Sequence, residues 1–347
     1  MSLYKYNLGE FNFKLNEFIH KHFSSDKLEK LQYMLEEGKR IRPILGLAFN
    51  SLSSYLYDKM IIVEIIHNIS LIIDDTPQMD NDISRRDKST FHIKYGCKET
   101  YLFTYYIMGW INKYIAKFYA KTLDHNKNSI IYSHITSIYD ELLSLIQGQY
   151  KDIRYSSNIK TSNLLTYKSI IPNKYEYTFN ILHTQINTLS SNISNESNES
   201  NESNKSNESN ELNESNKSNE SNELNKSNKS NELDNYIILV LEKTSSLFWL
   251  PIYLAIYDNN ILDDNIQYNN ISSWSYIFGL YFQISDDILD VNDDKHKDKP
   301  NICNYIDNAK YLQCELHTYL KISLETLQYN MINYNLINEL LEMICNK

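Results

Sequence analysis

Glycine and proline are scarce in this chain, with seven and five in 347 residues. A sandwich, a barrel or a doubly wound sheet needs many tight turns, and tight turns draw on these two residues. Those architectures are therefore disfavoured. Cysteine is also sparse: Cys97, Cys303, Cys314 and Cys345 stand far apart with no CxxC pair. That spacing fits neither a zinc site nor a disulfide framework and points to a reducing compartment. No uninterrupted apolar run reaches the ~18 residues of a membrane span. The richest stretch, Met60 to Ile73, is broken by Glu64, His67 and Asn68. An excess of basic charge is lacking too, since the net charge is −10, so nucleic acid is not an expected partner. Glu10, Glu17 and Asp26 lie among the N-terminal lysines, unlike an acid-poor transit peptide. The expectation is an intracellular protein, with the cytoplasm favoured and a plastid-like organelle the alternative if a targeting segment precedes this sequence.

What is abundant is asparagine, at 43 residues. Much of it lies in Ser194 to Glu232, thirteen Ser/Leu-Asn-Glu/Lys triplets of which nine end in Glu and four in Lys. The stretch carries −5, half of the chain's net charge. It has no apolar face with which to offset the entropy of ordering. It reads as a disordered low-complexity insert, with surrounds from about 157 to 234, interrupting a single domain of residues 1–347.

Elsewhere the apolar periodicity is helical. Helices are expected over Phe11 to Phe23, Leu28 to Leu35, Arg42 to Leu56, Asp58 to Asp75, Tyr101 to Lys121, Ser129 to Tyr150, Tyr236 to Tyr257 and Ser272 to Val291, with further helices over Asn308 to Met343. Pro77 ends the fourth. No hairpin is expected. The fold class is all-α, a helical bundle.

Two carboxylate clusters end apolar helices. IIDDTPQMDND carries Asp74, Asp75, Asp80 and Asp82; QISDDILD carries Asp286, Asp287 and Asp290. Asp286 and Asp290 share a helical face, and Asp287 flanks it. Like charges at a helix C-terminus are unfavourable unless something offsets them. Hard carboxylate oxygens suit Mg²⁺, which also binds substrate phosphates. Cations interleave with these clusters: Lys39, Arg40 and Arg42 before a helix start, then Arg85 and Arg86, then Lys243 inside an apolar run. Together they suggest a diphosphate site with metal on one side and cations on the other.

These motifs resemble those of the trans-prenyl diphosphate synthases of the short-chain farnesyl and geranylgeranyl type. The matching segments are GKRIRP (Gly38 to Pro43), EIIHNISLIIDDTPQMDND (Glu64 to Asp82), Arg85-Arg86, Gly148-Gln149, Lys243-Thr244 and FQISDDILD (Phe282 to Asp290), in the family's order. The resemblance implies an isoprenoid-synthase fold with a central cavity, a Mg²⁺ cofactor and a homodimer. It implies that Asp74, Asp75 and Asp80 hold Mg²⁺ on an allylic diphosphate, and that the second motif, Asp286, Asp287 and Asp290, holds another ion. Arg85, Lys243 and Lys299 would contact that diphosphate. Lys39, Arg42, His67 and Arg86 would hold isopentenyl diphosphate. Thr244 and Gln283 would face the developing carbocation, with Gln149 and Asp152 beside it. Ile69 and Ser70, five and four residues before Asp74, with Ile66 a turn further back, would set product length. None is aromatic, which favours a geranylgeranyl product, with farnesyl next.

The chain departs from the family's pattern at Ile83 (usually Asp), Asp87 (Gly), Thr104-Tyr105 (Gly-Asp), Gln147 (Gly) and Ser245 (Gly). The Asp298-Lys299 loop is one residue short, which puts Lys299 in doubt against Lys295 or Lys297. These departures motivate the alternative of a non-catalytic regulatory subunit of a heteromeric synthase.

Overall fold

The computed structural model describes residues 2–50, 56–121, 128–156, 174–184, 232–257, 265–296, 299–327, 329 and 331–346. The helices, in chain order, are α1 (Leu3–His22), α2 (Ser25–Leu35), α3 (Ile41–Phe49), α4 (Leu56–Asp74), α5 (Phe91–Tyr95), α6 (Cys97–Lys121) and α7 (Asn128–Ser156). They continue with α8 (174–184), α9 (232–240), α10 (Ser246–Ile256), α11 (Asn265–His296), α12 (Ala309–Thr326) and α13 (Tyr334–Cys345). A π-turn, Leu241–Ser245, lies between α9 and α10, and a 3₁₀ turn, Ile302–Asn304, lies between α11 and α12. The chain divides into two compact units: Met1–Leu145 with Ser246–Tyr268 and Gln328–Met343, and Ile146–Ser245 with Asn269–Leu327 and Ile344–Lys347.

In the first unit, α3 and α10 are buried almost throughout, and both pack against α4. Gly46 makes the contact close: a Cβ there would lie 2.3 Å from Met60 Sδ and 2.9 Å from Pro251 Cβ. The last carbonyls of α10, which have no helical partner, are served from outside. Asn50 Nδ2 donates to Ala255 O at 2.8 Å and Lys59 Nζ to Leu254 O at 3.4 Å. In the second unit, α11 is tied to α12 by Trp274 Nε1 donating to Leu320 O (3.0 Å) and Gln313 Nε2 donating to Ser285 Oγ (2.9 Å). It is tied to α8 by Thr178 and Ser273 at 3.1 Å.

Four differences from the sequence reading have physical causes. First, α1 begins at Leu3 rather than Phe11, because Ser2 caps Lys5 N at 3.2 Å and the Glu339 carboxylate of α13 accepts from Leu3 N (3.0 Å) and Tyr4 N (2.8 Å). Second, a short antiparallel pair forms, β1 (Ser84–Arg85) with β2 (Lys88–Ser89). Its turn residues Arg86 and Asp87 have φ of 53° and 59°, the left-handed values a two-residue hairpin needs. Third, residues 174–184, inside the interval read as insert, form α8 and bury Tyr175, Phe179 and Leu182; residues 232–234 likewise begin α9. The interval 157–234 therefore contains ordered helix at 174–184 and from 232. The triplet repeat lies outside the described residues up to 231. Fourth, one described helical run, Glu232–Ile256, is long and apolar enough to cross a bilayer, and 94% of its most apolar window is buried in protein.

Candidate functional site

The first aspartate motif belongs to the first unit and the second to the second unit, and each is built separately. Helix α4 is apolar to its end and buries Ile62, Ile65, Ile66, Ile69 and Ile72. The loop after Asp74 folds back on it: Asp75 N donates to Leu71 O (3.0 Å), Thr76 N to Ile73 O (3.1 Å) and Asp80 N to Asp74 O (2.9 Å). Terminal carbonyls that would repel the carboxylates are thereby occupied, and Pro77-Gln78 supplies the chain length for the return. Asp74, Asp80 and Asp82 are half-buried around this loop.

Asp75 has a different environment. Only 1% exposed, it accepts from Arg85 through Nε at 2.8 and 3.0 Å and through Nη2 at 2.6 Å. Burial raises its pKa and the guanidinium beside it pulls it back down, the first effect being the larger. The structure thus pairs two residues that the family resemblance assigns to metal and to diphosphate respectively.

The GKRIRP segment is organised by its middle cation. Arg40 is buried in a left-handed backbone position (φ 53°). It donates to Glu64 Oε1 at 2.8 Å, to Asn12 Oδ1 at 3.2 Å and to the carbonyl of Leu35. Asn68 Nδ2 adds a 2.9 Å bond to Glu64 Oε1, so the pair is satisfied as a buried pair must be. The guanidinium lies over Gly38, where a Cβ would come within 2.2 Å of Nη1. With Arg40 turned inward, Lys39 is exposed. Arg42, half-buried, sits 4.5 Å from the Phe248 ring centroid and donates to His67 Nε2 at 3.0 Å.

Arginine can only donate, so His67 is the Nδ1–H tautomer. Burial, then Arg42, Arg86, Arg85 and Arg40 in that order, holds its pKa well below the usual histidine value. His67 is neutral and stands in a concentrated positive field. Arg86 donates to Glu36 O at 3.0 Å, and Lys88 pairs with Glu36 at 2.6 Å and Glu37 at 3.5 Å. These contacts join the hairpin to the loop that carries Lys39. Ser70 Oγ donates to His67 O at 2.8 Å.

In the second unit, α7 and α11 approach the π-turn through glycines. A Cβ on Gly148 would lie 2.4 Å from Lys243 N, and one on Gly279 would lie 2.5 Å from Ser245 Cα. Lys243 Nζ pairs with Asp152, three residues past the half-buried Gln149. Thr244 Oγ1 donates to Gln283 Oε1 at 2.9 Å, and Gln283 Nε2 donates to Asp287 Oδ1 at 2.8 Å. Asp287 is buried at 2% exposure, Asp286 is half-buried and Asp290 is exposed. Lys299 is half-buried in the irregular segment before the 3₁₀ turn, whereas Lys297 and the Lys295 side chain lie outside the described residues.

Among the described residues no three His, Cys, Asp or Glu side chains converge as a ready-made cage for a cation. Mg²⁺ requires none, being held by one or two carboxylates with substrate phosphates and waters. In the first unit the half-buried pair Asp74 and Asp80, joined backbone to backbone, fits that demand, and in the second unit Asp286 does so separately. Sequence reasoning missed Arg40 as an organiser, together with Glu64, Tyr236 and Asn301. Glu64, one turn before Asn68 in a run of Ile, Val and Met, was the signal for the first of these.

The sequence model of the polyprenyl synthetase family matches residues 27–207 and 206–326. A geranylgeranyl diphosphate synthase of Cyanophora paradoxa is 47% identical over 73 residues, covering 20% of this chain and 24% of that protein. A farnesyl diphosphate synthase of Micrococcus luteus is 46% identical over 72 residues, covering 19% of this chain and 25% of that protein. The matched stretch thus spans about a quarter of the length of these curated relatives. The fold is similar to that of a Helicobacter pylori geranyltransferase complexed with magnesium and isoprenyl diphosphate, with a TM-score of 0.65, 19% identity, and coverage of 100% of this chain and 99% of that one.

Proposed function

The chain belongs to the polyprenyl synthetase family, and on that premise we propose that it is a Mg²⁺-dependent prenyltransferase joining isopentenyl diphosphate to an allylic diphosphate. The observation that carries this reading is the Arg42–His67 contact at 3.0 Å on helix α4, the same helix that the Asp74–Asp80 loop closes. With Arg40 held by Glu64 and Arg85 by Asp75, Lys39, Arg42 and Arg86 remain as cations suited to a polyanion, and the Asp74–Asp80 carboxylates suit the cation that accompanies it.

In this reading Lys39, Arg42, His67 and Arg86 bind isopentenyl diphosphate. Arg85, Lys243 and Lys299 bind the allylic diphosphate where negative charge develops as its C–O bond ionises. Asp74 and Asp80 in the first unit and Asp286 in the second would each hold Mg²⁺, which would supply charge neutralisation to a diphosphate. Thr244 and Gln283 face the allylic cation, apolar walls keep water from quenching it, and the isopentenyl double bond attacks it before a proton is lost. Ile66 and Ile69 are buried and, with Ser70, carry no ring to stop chain growth, which supports geranylgeranyl diphosphate as product, with farnesyl diphosphate next. Exposed Leu102, Tyr105 and Tyr106 of α6 and Tyr132, Tyr139 and Leu143 of α7 support the homodimer expected of the family.

The test is Mg²⁺-dependent incorporation of labelled isopentenyl diphosphate into dimethylallyl, geranyl and farnesyl diphosphates, with Asp74→Ala and Asp286→Ala as controls. Turnover that both controls abolish is expected. A folded protein with no turnover on any primer would favour the non-catalytic subunit instead.

A further inference from the structure

We propose that Asp287, the second aspartate of QISDDILD, is a positioning residue and not a cation ligand: its carboxylate sets the polarity of a hydrogen-bond relay that fixes the Thr244 hydroxyl. The inference rests on the prenyltransfer reading for its consequence and on geometry alone for its structure.

The carboxylate is 2% exposed and receives donors from Gln283, Tyr236 and Ile302, among others. Gln283 Nε2 reaches Oδ1 at 2.8 Å; the Tyr236 hydroxyl at 2.5 Å and Ile302 N at 2.8 Å reach Oδ2. An ionised carboxylate only accepts, and these donors satisfy it as a buried charge requires. The Tyr236 hydroxyl carries one proton and gives it to Oδ2. The same aspartate anchors the chain beyond Lys299. Asn301 Nδ2 donates to Asp287 O at 2.7 Å, and Asn301 Oδ1 accepts from Cys303 N at 2.9 Å. Donors from α9, α11 and the 3₁₀ turn, together with its burial, leave this carboxylate little room for a cation.

The relay follows from the donor inventory. Because Asp287 accepts, Gln283 must present its NH₂ to it, and the amide oxygen then faces Thr244. The Thr244 proton goes to that oxygen at 2.9 Å. Having given its single proton, Thr244 meets any further group as an acceptor, the polarity that stabilises developing positive charge. Reversing Gln283 would set its carbonyl against a carboxylate.

Asp287→Asn tests this without changing shape. The asparagine oxygen can still accept from Tyr236 and Ile302, while its NH₂ faces Gln283, reverses that amide and turns the Thr244 proton outward. Two readouts are needed. The first is the melting temperature in EDTA and then with Mg²⁺ and inorganic pyrophosphate; the second is steady-state turnover. The proposal expects the variant to keep the wild-type upward shift with Mg²⁺ and pyrophosphate, while Asp286→Asn loses it. It also expects kcat to fall about tenfold or more, with KM for isopentenyl diphosphate and the Mg²⁺ requirement unchanged. A lost shift in Asp287→Asn, or an unchanged kcat, would overturn it. Gln283→Leu, which cuts the relay and leaves the carboxylate in place, should give the same pattern and serves if the asparagine variant does not fold. The melting arm decides between ligand and brace even if the wild type turns over no primer, so failure of the prenyltransfer reading is distinguishable.

Discussion

The Arg85 guanidinium holds both oxygens of the Asp75 carboxylate, which is buried while the arginine is 36% exposed. Removing the arginine leaves a buried charge without its partner, and removing the charge does not. Breaking a fully buried pair from one side costs 3–5 kcal/mol, and the exposure of Arg85 reduces this to about 2 kcal/mol. Arg85→Ala should therefore destabilise more than Asp75→Asn in urea unfolding. Equal midpoints for the two variants would show that solvent already screens the pair.

Gly38→Ala is expected to be disproportionately harmful for a single methyl group. The new Cβ would collide with the Arg40 guanidinium, which cannot retreat without leaving Glu64. A loss of about 2 kcal/mol is expected, with a raised KM for isopentenyl diphosphate because Lys39 and Arg42 flank Arg40. Gly9→Ala, in the interior of α1 with nothing within 4 Å, is the control: it should leave KM unchanged and raise stability by about 0.5–1 kcal/mol.

The depressed pKa of His67 gives a pH dependence of definite sign. Its folded value lies below the unfolded value of about 6.5, so below that pH the unfolded chain binds a proton that the folded chain refuses. The stability contribution is full above pH 6.5 and declines as pH falls toward the folded value. His67→Gln should flatten the slope of unfolding free energy in that window. An unaltered slope between pH 6.5 and 5 would mean that His67 titrates normally.

Ile69→Phe should shorten the product, since a ring would be added at a buried position of α4 five residues before Asp74. Chromatography of the dephosphorylated products reads this directly. Longer or unchanged chains would remove Ile69 from the determinants of length.

At the β1–β2 turn, Asp87 occupies φ 59°, a conformation that costs an ordinary L-residue roughly 1–2 kcal/mol and aspartate somewhat less. Asp87→Gly should raise stability by about 0.5 kcal/mol, measured by thermal melting. A lower melting temperature would show that the Asp87 side chain contributes more than its backbone strain costs.

The helices of the core were legible because their apolar spacing is local. So was the end of α4, where Pro77 and the acidic run coincide. The first two turns of α1 were not, since their amides are capped by Glu339 from the other end of the chain. The β1–β2 hairpin was hidden because an Arg-Asp turn carries no Asn-Gly signal. For α8 a signal existed: Tyr175, Phe179 and Leu182 follow helical spacing, but the neighbouring repeat drew the boundary over them. In the candidate site, the cations and carboxylates were visible as residue types. Which of them turn inward was not, because Arg40–Glu64 and Tyr236–Asp287 are contacts across 24 and 51 positions.

The π-turn at Leu241–Ser245 has a consequence for the register of the chain. It holds one residue more than the α-turn it replaces, so every side chain after it is advanced by about 100° around the axis relative to α9. Deleting one residue there would restore an unbroken ladder and swing Thr244 away from Gln283, with no change in composition beyond the missing residue. Position along the chain and angle around the helix are decoupled at this point, and an alignment that closes a single gap here would assign the wrong residue to the relay.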